Sequence, residues 1–259
     1  MQTMPHDAFY FSSKERYHLN SSKTNFLTIN KPKPDFNFKL GMSDITETPT
    51  VEHLGMTRDN KGRSIDVDLR ISTARNTMYA LMGASLHGHN GLSIQASIKL
   101  WSIYVLPRLT YGLETLILHK TDMEKLNCFQ RKTLRQLQGI PERTPNAATL
   151  LLTGQIPIAA TIDKLALKLA CSIFRLDNST PLKQIAIHQT LQLETNTPSW
   201  FNAIRKTLWK YDLPSIFTLL ENPPPKDEWS KSVNKAVNIR CMQDLITEAK
   251  TKPTLKYLC

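Results

Sequence analysis

The feature that most limits what this chain can fold into is a change of hydrophobic period near Ser64. Before it, apolar residues come in short runs of strand composition. After it, they recur every three or four residues almost to the end, punctuated mainly by proline. A chain patterned this way must bury its apolar residues by packing helices on one another. The expected class is mainly α with a small N-terminal β-hairpin or meander, an α+β arrangement. At 259 residues the chain is long enough to bury a sizeable core.

In the first stretch, residues 7–18 suit a short helix ending near Asn20, and residues 24–30 have the aromatic and β-branched content of a strand. The run KPKPD at 31–35 reads as a turn, because two prolines in three positions fit neither a helix interior nor a central strand. Residues 36–40 and 50–56 read as two further short strands.

From Ser64, a candidate cap, a helix is expected with Ile65, Leu69, Ala74, Met78, Leu81 and Met82 as its stripe. Residues 83–91 break it. Ser93 begins another, with Ile94, Ile98, Trp101, Tyr104 and Val105 inward and Pro107 kinking or ending it. Thr121 and Glu124 have the spacing of a capping box for a helix over 121–138, which buries Met123, Leu126, Phe129, Leu134 and Leu137 and places Gly139 at C′. A short helix runs from Pro145 to Leu152, the most apolar one spans 158–176, and 181–193 is weaker. Thr197–Pro198 opens a helix carrying Trp200, Ile204, Leu208 and Trp209. After a short helix at 214–220, Pro223 to Pro225 form a stiff connector into a long helix over 226–250.

The chain is basic, with 33 Lys+Arg against 22 Asp+Glu and a formal charge of +11. The excess is densest in residues 63–143, at 11 against 6. Such a field favours polyanions, nucleic acid above all, although the same charge on a solvated surface serves solubility alone. Cys128, Cys171, Cys241 and Cys259 are widely spaced with no CxxC pair, which suits a reduced intracellular protein, nuclear or cytoplasmic. His87 and His89 in LHGHNG suit a polar glycine-rich loop better than a metal site. No secretory leader is expected, and no apolar run is long enough for a membrane helix.

No GxxxxGK[ST], GxSxG or HExxH motif occurs, and the carboxylates do not cluster as two-metal phosphoryl transfer requires. Asp66 and Asp68 form a close pair, but two residues apart at a helix start they point in different directions and suit the positive end of the dipole. No catalytic or metal-binding residue is assigned, and no cofactor is expected.

Five segments in order carry a resemblance: ERYHLNSSKTNFL, VEHLGMTRD, DLRISTARNTMYAL, KLWSIYVLPRLTYGLETLIL and LRQLQGIPERTPNAATLLLTGQIPI. Together, over about residues 8–176, they resemble the region that follows the catalytic motif in reverse transcriptases of non-LTR (LINE-type) retrotransposons. Asn20, Lys23 and Thr24 match that family's Asn-x-x-Lys-[Ser/Thr] segment. His53, Leu54 and Gly55 match the hairpin that grips the primer end. Pro107, Leu109, Tyr111, Gly112 and Glu114 match a thumb signature, and Arg135 with Gly139–Ile140 resembles a Leu-Arg…Gly-Ile motif.

The resemblance implies a palm remnant over 1–62 with a primer-grip-like hairpin, a helical thumb or connection region over 63–176, and a C-terminal helical extension over 177–259. It implies RNA or an RNA–DNA duplex as partner. Within it, Lys125, Arg131, Lys132 and Arg135 suit contacts to phosphates, since Arg131 and Arg135 stand four apart on one helix. Trp101, Tyr104 and Tyr111 suit core packing better than base stacking, and Trp200, Trp209 and Trp229 suit packing of the extension. In the family a Tyr-x-Asp-Asp hairpin holds Mg2+. That motif belongs before Asp7, so this chain by itself is not expected to polymerise, and the remaining polymerase portion, if encoded upstream, is an expected partner. The alternative is a helical protein-interaction module with no nucleic-acid role.

Overall fold

The described residues of the computed structural model are 3–29, 37–60, 66–83, 86, 91–192 and 199–255. The expected turn at 31–35, the Ser64 cap with Ile65, His87 and His89, and the opening Thr197–Pro198 lie outside them. The chain is mainly helical with a few small sheets. It divides into two compact units, Met1–Asp68 and Leu69–Cys259.

The first unit begins with α1 (Thr3–Lys14), four residues earlier than the pattern suggested. Arg16 ends it by adopting φ 58°, while the Tyr17 amide donates to the Ser12 carbonyl at 3.0 Å, the six-to-one bond of a Schellman stop. Among the described residues six short strands follow: β1 (Asn25–Phe26), β2 (Lys39–Leu40), β3 (Ser43–Asp44), β4 (Thr46–Glu47), β5 (Thr50–His53) and β6 (Met56–Asp59). They form three two-stranded pieces: β1 with β4 in parallel, and β2 with β3 and β5 with β6 antiparallel. The expected strand over 24–30 shrinks to two paired residues, for its partner β4 is no longer. Leu40 and Ile45 are buried in this unit, and Phe26 meets Phe38 edge-on at 4.9 Å.

Among its described residues, the second unit holds only helices and loops. α2 (Asp66–Met82), whose first turn straddles the division, buries Val67, Ile71, Ala74 and Met78. That row keeps i, i+4, i+7 spacing and includes Ala74 and Met78 of the expected stripe, but Leu69 of that stripe is 46% exposed while Val67 and Ile71 are buried. Ser93 caps α3 (Ile94–Leu100) through its hydroxyl, which accepts from the Ala96 amide at 3.3 Å. Pro107 does not end the helix. A π turn at Trp101–Val105 carries α3 into α4 (Leu106–Thr110), with the Leu106 amide reaching back five residues to the Trp101 carbonyl. Widening the turn accommodates a proline that lacks an N–H and would crowd the carbonyl four residues before it. Trp101, Val105 and Leu109 are buried, whereas Ile94 and Tyr104 face solvent.

α5 (Lys120–Gln138) starts one residue before the expected capping box, and that box does not form. Glu124 turns instead to Arg131 and Cys128. Gly139 stands at C′ with φ 65°, and the Ile140 amide donates to the Arg135 carbonyl at 3.1 Å. α6 (Asn146–Thr153) ends in the same way at Gly154. The buried Gln130 of α5 clamps the link to α7 (Ile158–Phe174): its amide nitrogen donates to the Ile156 carbonyl at 2.9 Å, and its oxygen accepts the Ile158 amide at 2.8 Å. One side chain thereby satisfies an orphan amide of the α7 N-terminus.

Around α7 pack α8 (Pro181–Leu191), α9 (Trp200–Lys210), α10 (Ile216–Glu221) and α11 (Lys226–Lys250). Leu167, Cys171 and Phe174 of α7 form one core with Phe201, Ile204 and Leu208 of α9, Ile216 and Leu219 of α10, and Trp229, Val233 and Val237 of α11. Helices α8 to α11 thus share a core with α7. Burying each such side chain contributes about 1.5–3 kcal/mol. The Lys183 side chain is buried here too. Its ammonium donates to the carbonyls of Phe174 and Leu220, near the C-termini of α7 and α10, where a cation complements both dipoles. Desolvation lowers its pKa.

Candidate nucleic-acid interface

The expected binding residues fall in both units. In the first, β5 and β6 pair with His53 opposite Met56, so Leu54 and Gly55 alone form the turn. Their φ values are 50° and 73°, the sign pattern of a type I′ turn, whose twist matches that of the strands. Glycine takes this conformation freely. Leucine does not, and holding it there costs about 1–2 kcal/mol. The Leu54 side chain nevertheless stands 76% exposed at the tip.

The register also sorts the hairpin's charges. Directly opposed residues share a face, so Val51, His53, Met56 and Arg58 lie on one side and Thr50, Glu52, Thr57 and Asp59 on the other. One face carries the basic residues and the other the acidic ones. Arg58, which is exposed, joins His53 on the basic face. Sequence reading missed it, although the two-residue period from Met56 would have found it once the turn was known.

In the second unit, α5 separates its four candidate cations into two kinds. Arg131 is half-buried and bonds Glu124 at 2.5 Å. Burial works against its charge, but the bond and charge of Glu124 prevail and raise its pKa. The same bond lowers the pKa of Glu124. Arg135 reaches across the following loop, from Nε to the Thr149 hydroxyl at 3.2 Å, and from Nη2 to the Thr144 carbonyl at 2.6 Å and the Asn146 side-chain oxygen at 2.7 Å. These two arginines therefore have internal partners. Lys125 and Lys132 stand on the exposed stripe 125–128–132–136, with Asp122 3.7 Å from Lys125. Lys132 has no ion-pair partner among the described residues.

The segment matching the thumb signature is a turn with internal duties. Arg70 lies over the Tyr111 ring at 4.8 Å, Gly112 adopts φ 78°, and Leu113 is fully buried. The Glu114 carbonyl accepts the Trp200 indole N–H at 2.8 Å, tying α9 to this turn. Trp229 likewise donates to the Leu167 carbonyl at 3.0 Å. Trp209, expected to pack like the other two, is 84% exposed. The buried row of α9 runs Phe201, Ile204, Leu208, and Trp209 falls one position off it.

Among the described residues no three His, Cys, Asp or Glu side chains converge as metal ligands, so none is assigned to the Mg2+ of the resembled family. Nor, among them, is any helix long and apolar enough to cross a membrane. No protein-family model, curated protein or solved structure matches this chain.

Proposed function

We propose that this chain is the duplex-holding part of a non-LTR retrotransposon reverse transcriptase, binding RNA or an RNA–DNA primer–template through two separate elements. One is the basic face and tip of the β5–β6 hairpin, with His53, Leu54, Gly55 and Arg58. The other is the Lys125–Lys132 stripe of α5. The observation that carries the reading is Leu54, an apolar side chain held exposed in a conformation leucine avoids. Backbone strain of this kind clusters at functional sites. The bare backbone of Gly55 suits close approach to a sugar–phosphate chain, and the lysines supply point charges for phosphates.

The test is binding of an RNA–DNA duplex across a salt series. Each phosphate neutralised steepens the fall of log K with log salt by about 0.9, so Lys125→Glu with Lys132→Glu should flatten the slope by roughly 1.8. Absence of binding at about 50 mM salt would sink the proposal.

A second reading, the helical protein-interaction module, draws on α1, where Tyr10 is 70% and Phe11 54% exposed. It predicts no duplex binding even at low salt, and loss of protein-partner capture in Tyr10→Ser with Phe11→Ser.

A further inference from the structure

α9 and α10 enclose an open cleft of about 370 Å³, lined by Arg205, Lys206, Leu208, Trp209, Ile216 and Phe217 among others. Its floor is apolar, since Leu208 and Ile216 are each only 2% exposed and Phe217 is half-buried. Its rim is different. Trp209 is 84% exposed, and Lys206 and Arg205 stand three and four residues before it on the same helix face. Neither cation has a carboxylate partner among the described residues, whereas the adjacent Lys210 is held by Asp163 at 2.9 Å.

We infer that this cleft is a binding site for single-stranded nucleic acid, in which a nucleobase stacks on the Trp209 indole while Arg205 and Lys206 take its phosphates. Three observations converge. An indole left in water forfeits more apolar burial than any other side chain, yet α9 keeps it off its buried row. Two unpaired cations beside a π face are the combination that unpaired strands use: stacking without sequence preference, and charge along the backbone. The volume lies within the range of small-ligand sites and suits one nucleotide rather than a duplex. An acidic peptide with apolar residues would satisfy the charge and the floor, but it would make no particular use of an exposed planar ring. The inference stands on this cleft alone and does not rest on the duplex reading, which concerns other residues.

The experiment is a titration of the full chain with single-stranded oligo(A) of about twelve residues, read by tryptophan fluorescence and by salt dependence. Of the four tryptophans, Trp101 and Trp229 are buried and Trp200 is half-buried with its N–H bonded, so quenching by a stacked base reports chiefly on Trp209. Trp209→Ala should weaken binding roughly 5- to 150-fold, and Trp209→Phe should restore part of it without the quench. Arg205→Gln with Lys206→Gln should flatten the salt slope by about 1.4. As these side chains are on the rim, unchanged circular dichroism checks that each variant is folded. Absence of quenching, or equal affinity in Trp209→Ala, overturns the proposal. Trp209-dependent binding of an acidic leucine-containing peptide without any of oligo(A) overturns it in favour of a peptide groove. Duplex affinity that falls with Lys125→Glu and Lys132→Glu but not with Trp209→Ala separates this site from the one proposed above.

Discussion

Arg135 offers the sharpest separation of architecture from binding. It was a natural phosphate contact on sequence grounds, yet its guanidinium joins α5 to the loop and first turn of α6 by three hydrogen bonds. Arg135→Leu removes all three. Hydrogen bonds to a charged group contribute about 1.5–3 kcal/mol each, which sets an upper bound well above what should be seen. Thr149 is fully buried, but its hydroxyl keeps a second bond, to the Pro145 carbonyl at 3.1 Å. Thr144 and Asn146 are half-buried, so water can replace the lost donor. The expected loss is therefore about 2–3 kcal/mol, concentrated on the buried end of the network. For a unit of this size that corresponds to a fall in Tm of roughly 4–12 °C. The assay is urea unfolding followed by far-UV circular dichroism, with duplex binding measured on the same preparation. Lys132→Leu on the neighbouring exposed stripe should shift stability by less than about 0.5 kcal/mol. If Arg135→Leu is thermodynamically silent, or if it weakens duplex binding while leaving stability unchanged, the internal role assigned to this arginine is wrong.

Three further outcomes follow from the same physics. Leu54→Asn should stabilise the β5–β6 hairpin by about 1 kcal/mol, because asparagine tolerates the left-handed conformation, while weakening duplex binding; thermal melting with filter binding checks both, and a loss of stability refutes the turn geometry. Trp229→Ala should cost about 3–5 kcal/mol, and Trp209→Ala less than about 0.5 kcal/mol, a contrast that parallel urea titrations would expose. Tyr211 donates to Asp163 at 2.7 Å, and burial first, then the Asp163 charge, push its pKa up. The folded state therefore holds a proton that the unfolded chain gives up near about pH 10, so this contribution is complete at neutral pH and is lost as pH rises further. Tyr211→Phe should be less stable at pH 7 by about 0.5–1.5 kcal/mol but show a shallower alkaline decline, and identical slopes in the two proteins would contradict the assignment.

Most helices were legible because their signals act within a turn or two of chain. The long helix at 226–250 has the bounds read from its proline connector, Ser93 caps where its position suggested, and Gly139 closes α5 as a C′ glycine. The hairpin was legible only as strand composition. Its turn became definite with the register, and with it the basic face that carries Arg58. The strained Leu54 could not be read at all, since its propensity argues against the conformation it adopts.

What the sequence by itself determined is the class, the order of the elements and most of their ends, because period, caps and prolines are local. Tertiary structure alone decided which side chains remain available. Arg135 is occupied by residues up to 14 positions away, Trp200 by one 86 away and Trp229 by one 62 away, while Trp209 and Lys132 are left to solvent. α11 shows why. It buries Trp229, Val233, Val237, Cys241, Leu245 and Ala249, one residue in every four. Against a period of about 3.6 that row drifts by roughly 40° at each step and winds halfway round the helix, so it shows no fixed face in sequence. It becomes intelligible only with α7 and α6 both in place against it. A residue's periodicity is a property of its own helix, but its burial is a property of whatever the rest of the chain brings beside it.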